Sequence, residues 1–139
     1  MTGSRIDRTA TRLLSKANAR AQAIRLEAFA AAESSGYISR LLASIEDEGE
    51  ASQAELARRT GIDPSDVVAA MNELSANGFV TRERDPADAR RNVVALTRKG
   101  RAELRRLDGV VSDIQERFLA PLTAAERRQL VRMLTKLTD

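Results

Sequence analysis

Apolar residues recur along most of this chain at helical spacing. From Ile6 to about Ala32 the residues are good helix formers, and Leu13, Leu14, Ala17, Ala21 and Ile24 fall at near-helical intervals, which predicts one long first helix. Ser34, Ser35 and Gly36 break it. Ile38, Leu41, Leu42 and Ile45 then mark a second helix with a single apolar face, ended by Gly49. Ser52-Gln53-Ala54-Glu55 has the form of a capping box, with the Ser hydroxyl accepting from the third helical amide and the Glu reaching back to the cap amide. It predicts a short helix through about Arg59. Thr60-Gly61-Ile62 supplies a tight turn, and Asp63-Pro64 restarts a helix, Asp as N-cap and Pro at the first position, where no amide is needed. That helix runs to about Ala76. Val67, Ala70, Met71 and Leu74 share its buried face, leaving Ser65, Asp66, Val68, Ala69, Asn72 and Glu73 outside. Asn77-Gly78 closes it.

At that glycine the period changes. Residues 79–84 and 91–96 have strand character, and the intervening Asp85-Pro86-Ala87-Asp88-Ala89-Arg90 is polar with a Pro-marked turn, so a two-stranded hairpin with an exposed tip is expected. A lone hairpin is marginal in water and must pack on the preceding helices. Thr97 caps a long helix to about Leu119, Pro121 interrupts, and Thr123-Ala124-Ala125-Glu126 is a second capping box that opens a final helix. Leu13 on the first helix and Leu119, Leu122, Leu130, Leu134 and Leu137 near the end, with Val131 beside them, give the chain ends more apolar surface than a small helical module needs. A two-fold interface would bury it. The fold class is thus mostly α with a small β-hairpin: a winged helix-turn-helix over 36–97, flanked by dimerisation helices over 6–32 and 98–139, in one domain spanning 1–139.

Composition narrows the chemistry. The 139 residues include no Cys and no His, which removes disulfides, thiolate metal sites, the usual zinc and iron ligands and the commonest general base. No metal and no cofactor is expected. Charged residues interrupt the N-terminal segment throughout, and no stretch is apolar enough to span a bilayer, so a cytoplasmic protein without membrane contact is expected. The formal charge is only +3, but residues 82–106 carry nine Arg or Lys against four Asp or Glu, a local balance of +5. Glu46, Asp47, Glu48 and Glu50 gather elsewhere.

Helix, short turn, helix and a hairpin with a basic tip follow the order of a winged helix-turn-helix, whose second helix enters the DNA major groove. At these residues the chain resembles the MarR family of bacterial regulators. Ser52-Gln53-Ala54-Glu55-Leu56-Ala57, Gly61-Ile62-Asp63, Leu74 and Gly78-Phe79-Val80-Thr81-Arg82 are similar to that family's helix-turn-helix. The stretch from Asp85 to Arg90, continuing through Val94-Ala95-Leu96-Thr97 to Gly100, is similar to its wing, and Leu122 to Glu126 to its closing helix. The resemblance implies a homodimer built from terminal helices, double-stranded DNA as partner through a pseudo-palindromic operator, a repressor's role, and a small-molecule effector. Two positions depart from the family pattern. Ala89 stands where the wing commonly has the first of two Arg, and Ala69 and Glu73 stand where relatives often carry Arg in the recognition helix.

Candidate DNA contacts follow from side-chain chemistry. Arg90 at the wing tip suits a narrow, electronegative minor groove, with Asp88 placed to orient its guanidinium. Arg84 and Arg91, like Arg82, can meet phosphates or pair with Glu83 and Asp85. On the recognition helix Ser65 can donate to phosphate or base, Asp66 can accept from a cytosine amino group, Asn72 can pair with adenine, and Val68 or Ala69 can touch a thymine methyl. The alternatives are solvent exposure for Ser65 and helix-dipole stabilisation for Asp66. Ser52 and Gln53 sit at a helix start suited to a phosphate, although Ser52 is already explained as a cap. Tyr37 and Arg40 could line an effector pocket, or be a packed ring beside a solvated neighbour. Two other functions compete: a winged-helix module for protein–protein contact, favoured by the neutral outer face over 64–76, and an enzyme, for which the acidic cluster lacks a partner base.

Overall fold

A computed structural model describes residues 3–139, so the first two residues of the expected single domain lie outside it. A 3-10 turn, Arg5–Arg8, precedes α1 (Ala10–Ala31), α2 (Gly36–Glu48), α3 (Gln53–Thr60), α4 (Pro64–Ala76), β1 (Val80–Asp85), β2 (Asp88–Leu96), α5 (Arg98–Leu119) and α6 (Ala124–Thr138). Two compact units result. One holds the described residues up to Ala28 together with Val111–Asp139, the other Phe29–Val110, and the expected winged region falls inside the second.

Most helix starts are built as the cap residues dictate. Ser35, Ser52, Asp63 and Thr123 each accept a first-turn amide, and Pro64 fills the first position of α4. The Thr123–Glu126 box is complete in both directions. The Ser52 box is only half formed, because the Glu55 carboxylate turns instead to a guanidinium on β2. The long first helix is also divided. Ser4 and Asp7 make a capping box of their own, and extended Thr9, whose hydroxyl donates to the Ile6 carbonyl at 2.7 Å, separates the short turn from α1.

In the second unit Leu41, Leu42, Leu56, Val67, Met71, Leu74, Val94, Leu104 and Leu107 are fully buried, drawn from α2 through α5 and the hairpin. The hairpin pairs Val80 with Leu96 through Arg84 with Asn92, and an irregularity then brings Asp85 opposite Asp88. Its tip is therefore Pro86-Ala87, tighter than the six-residue turn expected from polarity. Asp85 makes this possible by accepting the Ala87 amide at 2.9 Å, an Asx turn that closes the loop. A bridge from the Val94 amide to the Ala51 carbonyl, 2.7 Å, fastens the hairpin base to the segment before α3.

Gly100 illustrates close packing at the start of α5. A Cβ placed there would lie 1.9 Å from the Phe79 carbonyl oxygen, so only glycine fits. Thr97 completes the joint, its hydroxyl donating to the Gly78 carbonyl at 2.6 Å while accepting the Gly100 amide at 2.9 Å.

Candidate nucleic-acid interface

Helices α3 and α4 are joined by a turn through Gly61, which adopts a left-handed φ of 70° that favours glycine. The apolar face of α4 is buried as its spacing requires, with Val67, Ala70, Met71 and Leu74 inside. Its other face is wholly open: Ser65, Asp66, Val68, Ala69, Asn72 and Glu73 are all exposed. Val68 shows 47% of its surface to solvent. The expected recognition surface is thus one continuous helical face.

Local hydrogen bonds define what that face can offer. Asp63 accepts both the amide (2.9 Å) and the hydroxyl (2.5 Å) of Ser65, and these bonds, the hydroxyl's first, hold its carboxyl below the usual range. The Ser65 proton is consequently engaged, and what the hydroxyl has left to offer is an acceptor. Asn72 Oδ1 accepts from Arg82 Nη2 at 2.7 Å, linking the recognition helix to the first wing strand. Asp66 has no such partner among the described contacts. Ser52 spends its hydroxyl oxygen on the Glu55 amide at 3.2 Å, while Gln53 stands half-buried at the first position of α3.

On the wing the arginines divide into two groups. Arg84, near the end of β1, and Arg90, which lies on β2 three residues past the tip and not in it as expected, are exposed. Asp88 accepts the backbone amide of Arg90 at 3.0 Å, so it shapes the strand that carries Arg90 and leaves the guanidinium to solvent. Arg91, in contrast, is half-buried between two carboxylates, Glu55 on α3 and Asp85 at the end of β1, the latter 3.6 Å away. Sequence reasoning offered Asp85 as a partner and missed Glu55, because the capping pattern at Ser52 accounted for that carboxylate locally. The signal available was an unpaired positive residue in the strand and a helix-start Glu 36 positions away, which only the hairpin's docking brings together.

Tyr37 and Arg40 meet each other. The Arg40 guanidinium lies 5.3 Å from the Tyr37 ring centroid and donates to the Thr60 carbonyl at 3.3 Å, capping the end of α3. In the first unit Leu13 and Leu137 are 50% and 75% exposed, and Leu119, Leu122, Leu130 and Leu134 are half-buried. Helix α6 buries no residue at all within the chain. A groove of about 350 Å³ is lined there by Leu119, Leu122 and Leu130 with Ala17, Phe118 and Pro121, and by Lys16 and Arg20. Arg20 stacks 5.3 Å from the Phe118 ring centroid and donates to the Phe118 and Arg117 carbonyls at 2.8 and 3.1 Å, which satisfies the end of α5. Among the described residues no group of three or more carboxylates is placed to hold a metal ion, and no helix is long and apolar enough to cross a membrane.

Comparison with known proteins agrees with this geometry. Residues 39–91 match the model of the MarR family. The chain is 33% identical over 98 residues to the transcriptional repressor NicR of Pseudomonas putida, covering 70% of this chain and 62% of the relative. It is 37% identical over 86 residues to the transcriptional repressor Rv2887 of Mycobacterium tuberculosis, covering 62% of each. The chain thus spans less than two thirds of the length of these relatives. Among solved structures, the Rv2887 complex with salicylic acid superposes with a TM-score of 0.76 at 29% identity, over 94% of this chain and 97% of the other. Bordetella bronchiseptica BpsR, whose DNA binding is regulated by 6-hydroxynicotinic acid, superposes with a TM-score of 0.82 at 26% identity, over 99% of each chain.

Proposed function

We propose that this chain, whose residues 39–91 match the MarR family of winged-helix regulators, is a sequence-specific, DNA-binding transcription repressor acting as a homodimer on a pseudo-palindromic operator. The observation that carries the reading is the fully exposed outer face of α4 together with a hairpin whose strands carry exposed Arg84 and Arg90 near its tip. A helix of this kind fits the major groove, and an arginine-tipped wing suits an adjacent minor groove of concentrated negative potential. Ser52 and Gln53, at the start of α3, stand where a backbone phosphate would meet helical amides.

The dimer follows from the terminal helices. Leu13, Leu119, Leu122, Leu130, Leu134 and Leu137 form the apolar surface that a second copy covers, and the same patch would serve both subunits across a two-fold axis. By analogy with BpsR and Rv2887, a small aromatic acid relieves repression, with Tyr37 and Arg40 as its first candidate contacts. The protein works in the cytoplasm and is not an enzyme, the chain having neither Cys nor His for the usual nucleophile or base.

The deciding experiment is duplex binding at several salt concentrations. Affinity should fall linearly on a logarithmic plot as counterions are released. No affinity under any condition would transfer the winged module to protein–protein contact. Adding salicylate or 6-hydroxynicotinate to the preformed complex tests the effector, the expected result being release of DNA.

A further inference from the structure

Asn72 sits on the open face of α4, and β1 claims its side chain through the 2.7 Å bond from Arg82 Nη2 to Asn72 Oδ1. A guanidinium has five N–H donors and no acceptor, so the amide atom facing it must be the oxygen. The usual uncertainty between the two amide atoms does not arise here. The NH₂ group is consequently turned away from the arginine, and no described hydrogen bond occupies it. Both side chains are exposed, so the pair forms part of the surface formed by α4 and the wing.

This bond changes what Asn72 can read. An asparagine alone pairs with adenine in two directions, its oxygen accepting from N6 and its NH₂ donating to N7. Here one lone pair of the oxygen already accepts from a cation. What remains is a single lone pair against the amide NH₂ and the unused N–H groups of the guanidinium, so donors predominate on the face the pair presents. Guanine alone among the bases presents two acceptors, N7 and O6, on one major-groove edge.

We propose that Arg82 and Asn72 act as one recognition unit in which Arg82 is the positioning residue, turning Asn72 from an adenine reader into a donor that selects guanine. The inference rests on α4 being the groove helix and deepens that reading. It also accounts for how base selection is achieved by a recognition helix that carries Ala69 and Glu73 rather than arginine on its outer face.

Selection of bound duplexes from a random pool tests it, using the wild type, Asn72→Asp and Arg82→Ala, each checked for folding by thermal unfolding. Asn72→Asp keeps an acceptor for Arg82 and removes the NH₂ donor. The wild type should enrich guanine at one base per half-site, and Asn72→Asp should lose that preference. Arg82→Ala should move the same base from guanine toward adenine, by a factor between about five and about 150, the range a good bidentate contact provides. If Arg82→Ala instead lowers affinity on all sequences alike and leaves the base preferences as they were, Arg82 is a phosphate contact and the proposal is overturned. A wild type that enriches no sequence overturns the groove-helix reading itself, a distinct result from a wild type that selects with Arg82 irrelevant. The free protein offers a check that needs no variant. The Asn72 side-chain amide should be ordered in nuclear magnetic relaxation, and an amide as mobile as that of a free surface asparagine contradicts the pairing.

Discussion

At the scale of single residues, exposure and local hydrogen bonds separate side chains left open to a ligand from structural ones. Arg90 is exposed on β2 near the tip with its backbone amide held by Asp88, so its guanidinium is free to enter a groove. Arg90→Ala should cost about 1–3 kcal/mol of binding, more on operators with A·T-rich flanks, where a narrower minor groove concentrates negative potential. Arg84→Ala, if it meets only phosphate, should weaken all duplexes alike and lower the salt slope by about one. Titrating both variants against A·T-rich and G·C-rich flanks distinguishes them. Two cap-region carboxylates make a separate prediction about pH. Asp63 is held below the usual carboxyl range first by the Ser65 hydroxyl and then by its amide, and Glu126 first by the Thr123 amide and then by the Thr123 hydroxyl. A carboxyl depressed by folding contributes stability that is complete above its unfolded pKa and disappears as pH falls through the lower folded value. The loss therefore belongs below about pH 4.5. Comparing thermal unfolding of the wild type with Asp63→Asn, Glu126→Gln on either side of that pH should show the smaller acid loss in the variant.

At the scale of elements, the wing is held to the helices by contacts that no single segment contains. The Val94 amide reaches the Ala51 carbonyl, and Arg91 joins Glu55 to Asp85. With Arg91 engaged in this way, Arg91→Ala should loosen the wing and reduce DNA affinity while leaving the salt slope unchanged. Loss of a phosphate contact would instead lower the slope by about one. The stability change should be small, about 0.2–1 kcal/mol, because the pair is partly open to solvent. Faster hydrogen exchange at the Val94 amide would report the loosening directly. The joint between α4 and α5 is less tolerant. Gly100→Ala drives a Cβ into the Phe79 carbonyl, so this variant should unfold at a clearly lower temperature or fail to fold, with a cost of more than about 1 kcal/mol from overpacking alone. Most of these elements were legible in the sequence. Caps at Ser52 and Asp63 and the period of apolar residues mark the helices of the winged region, and Thr123 marks α6, since both signals are local. The Thr9 break and the tight Pro86-Ala87 tip were not, because each depends on a particular side-chain hydrogen bond competing with a continuous pattern.

At the scale of the whole molecule, the terminal helices carry apolar surface that one chain leaves uncovered. Helix α6 buries nothing, and Leu13, Val131 and Leu137 stand half or more exposed. We expect a dimer at micromolar concentration by sedimentation, and a monomeric wild type would count against it. Replacing Leu130 and Leu134 together by Glu should weaken dimerisation and operator binding in parallel, since two half-sites are then no longer read by one particle.

The sequence by itself determined the helices of the winged region, the buried face of α4, the place of the wing and the basic charge around it. Each of these is set by periodicity, capping or composition within a few residues. Only the tertiary structure decided which of the candidate residues remain free. Glu55 turned from its cap to Arg91, the Ser65 hydroxyl donates to Asp63, and the Asn72 oxygen accepts from Arg82. Of the three, two join residues 36 and 10 positions apart, and their partners meet only after the hairpin has folded back on the helices. A side chain's hydrogen-bonding capacity is readable from its identity, whereas the part of it left over for a ligand depends on what the fold has already used.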